Sequence, residues 1–200
     1  RIVYGTCLLT DAGQYTTLSE RLSPRELNNY MNNYYELLFK PIKEHEGTVV
    51  NIIGDSMLAL WTSSYPEISM KKKACLAALG INQGLNGQQP LFPDLPLTTR
   101  IGIHSGDIFL GDVGAIDHYE YRPTGDIINT ASRLEGLNKF LGTRTLVSKT
   151  VFEEMDDFLF RRLGIFLLAG KSRPLEVFEL ICQIENASVR QKDICELFKN

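Results

Sequence analysis

The sequence predicts an α+β fold in which a mainly antiparallel sheet carries helices on its faces. Short β-branched and apolar runs come in pairs joined by tight turns, and longer segments with apolar residues at helical spacing lie between those pairs. The composition agrees. Of 200 residues, 44% are hydrophobic and 22% charged, the balance of a globular domain with a sizeable core.

The elements follow in order. Residues 2–9 form a buried strand that delivers Asp11 to its C-terminal edge. Ser23-Pro24-Arg25-Glu26 is a helix start, with Ser23 as N-cap, Pro24 in the first turn and Glu26 completing a capping box. That helix runs on through Leu27, Tyr30, Met31, Tyr34, Leu37 and Leu38; Pro41 is a potential kink and Gly47 its end. Residues 48–53 and 57–61 read as a hairpin whose tip is Gly54-Asp55. A second helix is predicted over 66–85, a loop over 87–96, and two separate strands over 100–104 and 107–110. A third helix over 126–140 places Ile127, Ala131, Leu134 and Asn138 on one face. Strands over 144–147, 158–168 and 175–181 complete the sheet, and 189–200 reads as an exposed helix or tail. The predicted organisation is one domain over 1–182 followed by a tail or short helix over 183–200.

Charge and cysteines narrow the function classes. A net charge of −3 gives no electrostatic case for a nucleic-acid backbone or an anionic membrane as main partner. No apolar run approaches the ~20 residues of a membrane helix. Cys7, Cys75, Cys182 and Cys195 are scattered without metal-ligand spacing, as in a reduced cytoplasmic protein. The chain opens directly on a strand-like run, which reads as a piece of a longer protein.

Asp11 and Asp55 each follow or interrupt an apolar strand. Either alone reads as a turn residue; two carboxylates at adjacent strand ends suit hard cations such as Mg²⁺. Asn129 and Arg133, four apart, share one helix face, where an amide and a guanidinium can orient a sugar and neutralise a phosphoryl group. His104 reads as a structural histidine at a strand end, Lys71-Lys72-Lys73 as a solvated helix face, and Tyr30, Tyr34 and Tyr35 as core or dimer packing.

Four strings, in order, carry a resemblance. Thr16-Thr17-Leu18-Ser19-Glu20, Ile53-Gly54-Asp55, Arg100-Ile101-Gly102-Ile103-His104-Ser105-Gly106 and Gly125-Asp126-Ile127-Ile128-Asn129-Thr130-Ala131-Ser132-Arg133-Leu134-Glu135 resemble the catalytic domain of class III adenylate and guanylate cyclases. The likeness runs from about residue 3 to about residue 180 and includes Gly170-Lys171-Ser172-Arg173-Pro174. The wording His118-Tyr119-Glu120-Tyr121-Arg122 is most similar to bacterial cyclases anchored in the membrane behind a sensor domain, so the resemblance implies a cytoplasmic catalytic domain of such a parent.

The resemblance implies a ferredoxin-like, palm-type fold and a composite site between two chains. On it, Asp11, Asp55 and the backbone of Ala12 hold two Mg²⁺ or Mn²⁺ ions per site. Asn129 and Arg133 are the catalytic pair, supplied with Lys171 by the other subunit of a homodimer. Lys171, Arg144 and the loop residues Gly13, Tyr15 and Thr16 contact the substrate phosphates. Purine choice falls on Asn51 and Arg122, which match neither the Lys with Asp or Thr usual in adenylate cyclases nor the Glu and Cys usual in guanylate cyclases. Asn can pair with adenine's N1 and amine, whereas Arg suits guanine O6, a phosphate, or a nearby acid such as Glu120. The implied reaction is ATP to 3′,5′-cyclic AMP and pyrophosphate. GTP, mixed purine use, and a nucleotide-binding dimerisation module without turnover stand as alternatives.

Overall fold

The computed structural model describes residues 1–62, 66–95, 98–115 and 118–198. The first strand, β1 (Ile2–Ala12), runs straight into a short helix, α1 (Tyr15–Arg21). The long helix α2 (Pro24–Glu44) follows, then the hairpin β2 (Thr48–Ile53) and β3 (Ser56–Thr62), and helix α3 (Glu67–Asn86). Next come β4 (Thr99–Ala115), β5 (His118–Thr124), helix α4 (Asp126–Leu141) and β6 (Thr145–Ser148). The single-turn α5 (Lys149–Phe152), β7 (Phe158–Phe166), β8 (Leu175–Gln183) and helix α6 (Val189–Leu197) close the chain. These strands make one eight-stranded sheet in the order β2-β3-β1-β4-β6-β8-β7, with β5 paired to β4. Every pairing is antiparallel except β4 with β6. The predicted α+β class with a mainly antiparallel sheet is the observed one.

Local chemistry explains where the helices begin and end. Ser23 and Glu26 form the expected capping box, the Ser23 amide donating to Glu26 Oε2 at 2.9 Å. These bonds hold the Glu26 carboxyl below its usual range. Pro41 lies inside α2 and is buried there, and the chain leaves the helix only at His45, with Gly47 N–H returning to Ile42 O at 2.8 Å. Side chains on β1 alternate between two helical layers. Leu8 and Ala12 pack with Met31, Tyr34 and Leu38 of α2 and Ala74, Ala78 and Ile81 of α3. Cys7, with Val3 and Leu9 beside it, packs against Ile127 and Ala131 of α4. By that alternation Asp11 falls on the α4 face, the placement on which the site depends.

Several expectations change in the fold. The two strands predicted over 100–104 and 107–110 are one continuous strand, β4. Ser105-Gly106 reads as a turn, yet Gly106 pairs with Gly5 in the ladder and Ser105 Oγ bonds Thr6 Oγ1 at 2.9 Å. The extended backbone therefore stays fully bonded, and nothing forces a reversal. β5 and α5 were not expected; β5 tolerates Pro123 because it pairs only with β4. Lys71 is 5% exposed, so the predicted solvated lysine face is wrong for its first member. Lys72 is exposed beside Asp157, and Lys73, its side chain 19% exposed, pairs with Glu46. Helix α6 is capped by a Ser188–Gln191 box and packs on β7 with Cys195 buried. No helix among the described residues is long and apolar enough to cross a membrane.

Candidate active site

The hairpin and the first strand bring the two predicted acids together. Asp11 lies opposite Ser56 in the β1–β3 ladder, one residue past the Gly54-Asp55 turn, and Ser56 Oγ donates to Asp11 Oδ1 at 3.2 Å. Gly54 takes φ 61°, a left-handed conformation that costs glycine little and lets a two-residue turn close the hairpin. The Tyr35 hydroxyl of α2 donates to Gly54 O, tying the turn to the helix behind it. Burial, then the charge of Asp11, push the Asp55 carboxyl up to about 6, with Arg100 opposing. Two acids that repel each other across a half-buried gap suit a divalent cation.

The residue types set limits on how such a cation could be held. No group of three or more His, Cys, Asp or Glu side chains converges among the described residues. Asp11 and Asp55 would therefore need backbone carbonyl, phosphate or water oxygens to complete an oxygen-rich shell, the ligand set that Mg²⁺ and Mn²⁺ accept. Ala12, buried beside Asp11, is one source of such a carbonyl.

Beyond Ala12 the chain turns tightly. The Gly13 amide donates to Thr98 O at 2.8 Å, and a Cβ on Gly13 would lie 2.1 Å from Thr98 Oγ1. A side chain here would require Thr98 to shift. Gln14 then takes φ 68° and α1 begins at Tyr15 and Thr16, so their amides stand at a helix start beside the acids.

The other predicted residues gather around α4. Asn51, Arg122 and Asn129 line one cleft of ≈ 540 Å³, with Leu9, Met57, Leu58, Pro123 and Ile128 as its apolar walls and Ser56 at one end. This brings the two purine-selecting candidates and one of the catalytic pair into a single pocket, large enough for a base and its sugar. The side chain of Glu120, a suggested partner for Arg122, lies outside the described residues. Arg133 is exposed one turn further along α4 and forms no ion pair among the described residues. Lys171, following the turn at Gly170, reaches back to α4, pairing with Asp126 and donating to Thr130 Oγ1 at 2.8 Å. Asn129 and Arg133 therefore stand on α4, and Lys171 meets that helix from the turn between β7 and β8.

Arg144 is the exception. Its backbone sits at the same sheet edge as Asp11, since Ile101 accompanies both Thr10 and Thr145. Its guanidinium instead donates to Asn86 of α3 and lines a separate cleft with Asn82 and Glu179. Within one chain it does not join the acids. His104 lies within β4 rather than at a strand end, with Nδ1 bonded to Ser148 Oγ at 2.7 Å. Burial lowers its pKa to about 4, the behaviour of a neutral structural histidine.

Three residues of the site escaped the sequence reading. Arg100 pairs with Asp11 and, through Nε at 2.9 Å, with Glu135 of α4. Both stand in the quoted strings. The signal that finds them is pairing: β4 runs antiparallel to β1 and sets Arg100 opposite Asp11. Tyr35 is the other miss, since its helical spacing says only that it faces inward.

The profile of the adenylate and guanylate cyclase catalytic domain matches residues 5–181. Adenylate cyclase 1 of Rhizobium meliloti is 35% identical over 180 residues, covering 88% of this chain and 27% of that protein. Adenylate cyclase of Anabaena cylindrica is 28% identical over 186 residues, covering 88% of this chain and 36% of its own length. The chain thus spans about a quarter to a third of these relatives. Among solved structures, a bacterial light-regulated adenylyl cyclase superposes with a TM-score of 0.79 at 22% identity, covering 99% of both chains. The guanylate cyclase domain of RhGC from Catenaria anguillulae in complex with GTP superposes with a TM-score of 0.78 at 20% identity, covering 92% of this chain and 99% of that one. At these identities the superpositions speak to fold alone.

Proposed function

This chain belongs to the family of adenylate and guanylate cyclase catalytic domains, and on that premise we propose that it converts ATP to 3′,5′-cyclic AMP and pyrophosphate at sites shared by two copies. The observation that carries the proposal is the pairing of two features on one sheet face. Mutually repelling acids stand at the Gly54-Asp55 hairpin, a purine-sized cleft lined by Asn51, Arg122 and Asn129 opens on the same face, and in a two-fold pair each chain's cleft would meet the acids of the other.

Two divalent ions held by Asp11, Asp55 and the Ala12 carbonyl would supply activation of the ribose 3′-hydroxyl and charge neutralisation on the departing pyrophosphate. The protein's own groups do the rest. Asn129 orients the ribose so that its 3′-oxygen faces the α-phosphorus, and Arg133 offsets charge that grows on the α-phosphate as the bond to the β-phosphate breaks. Lys171 and the amides at the start of α1 bind the outer phosphates; Lys171 must first leave Asp126. Arg144 joins them only after swinging away from Asn86. Asn51 offers one donor and one acceptor to the base, the pattern adenine's edge requires.

Sharing between copies follows from which groups are left open. Arg133 projects from α4 without an ion-pair partner among the described residues. In a two-fold pair it can serve the acids of the partner subunit, so each dimer carries two equivalent sites. Adenine is preferred here because two relatives matched over 88% of this chain, those of Rhizobium meliloti and Anabaena cylindrica, are adenylate cyclases. GTP use is the second reading, favoured by Arg122 in the cleft, whose donors suit guanine O6. Purified protein with Mn²⁺ and ATP or GTP, products resolved by chromatography, tests all of this. Cyclic AMP with pyrophosphate is expected. Turnover of neither nucleotide at high protein concentration would leave a nucleotide-binding dimerisation module instead.

A further inference from the structure

Both oxygens of Asp11 already accept hydrogen bonds. Its Oδ1 accepts from Ser56 Oγ at 3.2 Å, and its Oδ2 accepts from the Arg100 guanidinium. That guanidinium also turns its Nε to Glu135 Oε1 at 2.9 Å. The Asp11, Arg100 and Glu135 side chains are 22%, 26% and 11% exposed, so the bridge is half-withdrawn from water, where charges must be matched. It also spans two layers, from the sheet to α4. Gly102 allows this: a Cβ there would lie 2.1 Å from Ala131 O and 2.4 Å from Glu135 N, so any other residue would hold the helix away.

We propose that Arg100 is a positioning residue that holds the place of the divalent cation at Asp11, and that Glu135 sets how firmly it does so. The proposal rests on the reading of Asp11 and Asp55 as a cation site. With no cation bound, the guanidinium holds the Asp11 carboxylate in place beside an acid that repels it. When a cation arrives, Arg100 yields Oδ2. It is not then stranded as an unpaired half-buried charge, because Glu135 remains as its partner. Glu135 is thus the alternative anchor that makes Arg100 displaceable, and loading the site becomes a competition between two cations for one carboxylate oxygen.

Opposite signs distinguish this from a structural bridge. Loss of a structural bridge loosens the site whichever partner is removed, so both variants would then bind cations more weakly. Under the proposal, Arg100→Gln removes the competitor and Glu135→Gln removes the alternative anchor, leaving Asp11 as the guanidinium's only carboxylate. The experiment is Mn²⁺ binding to the intact chain without nucleotide, read by the electron paramagnetic resonance signal of free Mn²⁺, with thermal melts run in parallel. Arg100→Gln is expected to lower the Mn²⁺ Kd about tenfold, the scale of one unit charge removed near a divalent ion in a partly wet site. Glu135→Gln, isosteric and so the safer variant for folding, is expected to raise it about threefold. Arg100→Lys keeps the charge but cannot grip both acids at once, and is expected to fall between Arg100→Gln and the parent chain. Shifts of the same sign in Arg100→Gln and Glu135→Gln, or Arg100→Lys binding as the parent does, would overturn the proposal while leaving the cation site intact. No Mn²⁺ binding by the parent chain would overturn both together.

Discussion

If two chains build each site, two inactive variants should repair one another. Asp55→Ala removes one acid of the hairpin, and Arg133→Ala removes the exposed guanidinium of α4. Neither should unfold the chain: Asp55 is half-buried at a turn and relieved of repulsion by its loss, and Arg133 is exposed. Each homodimer lacks the same half of both its sites. Losing one group that offsets charge in the transition state costs about 10²–10³-fold, so either variant alone should retain ~1% of turnover or less. A heterodimer collects both lesions in one of its sites and leaves the other whole. Equal mixing with free subunit exchange puts about half of the dimers in that form, with one working site of two, so the mixture should recover about a quarter of parental turnover. The assay is cyclic AMP formation after co-incubation, with exchange verified by pull-down through a tag carried on one variant. Mixed dimers that form yet work no better than the average of the two singles would refute the shared site and place the chemistry within one chain.

Other outcomes follow from single contacts. Tyr35→Phe deletes the hydrogen bond to Gly54 O at the cost of about 1 kcal/mol, so the melting temperature should shift by only a few degrees while the Mn²⁺ concentration for half-maximal turnover rises severalfold. Gly102→Ala drives a Cβ into the Ala131 carbonyl and should cost about 2–3 kcal/mol in urea unfolding; an unchanged midpoint would mean that α4 slides freely on the sheet. Asn51→Lys combined with Arg122→Thr should raise the ratio of kcat/KM for ATP over GTP, and an unmoved ratio would show that the base is read elsewhere in the cleft. His104, held neutral by burial with a pKa of about 4, binds fewer protons folded than unfolded between that value and 6.5. Stability should therefore fall as pH drops through this window, by about 3 kcal/mol, and urea titrations of His104→Gln should be flatter with pH.

What the sequence discloses and what it withholds divide along physical lines. The capping box at Ser23, the Gly54-Asp55 hairpin and the buried face of α4 were legible because each is written in neighbouring residues or in one periodicity. The continuity of β4 was not, because Ser105-Gly106 carries turn chemistry locally and is overruled by Thr6 and Gly5 on another strand. The same divide runs through the site. Asp11, Asp55, Asn129 and Lys171 stand in local strings, and the fold brings them to one face of the sheet. Arg100 also stands in such a string, yet its contact with Asp11 exists only through the antiparallel register of β1 on β4, and its contact with Glu135 only because Gly102 admits α4. A motif therefore names the groups that meet the substrate more readily than those that hold them. The same holds for the proposed base-reading positions. Asn51 and Arg122 come from different strands, β2 and β5, and meet only across the cleft. Their departure from both familiar pairs need not weaken binding, because in the proposed site Leu9, Leu58 and Ile128 would supply apolar contact to any purine. The polar pair then acts mainly on discrimination, and substitution there should move the ATP-to-GTP ratio more than the turnover of either nucleotide.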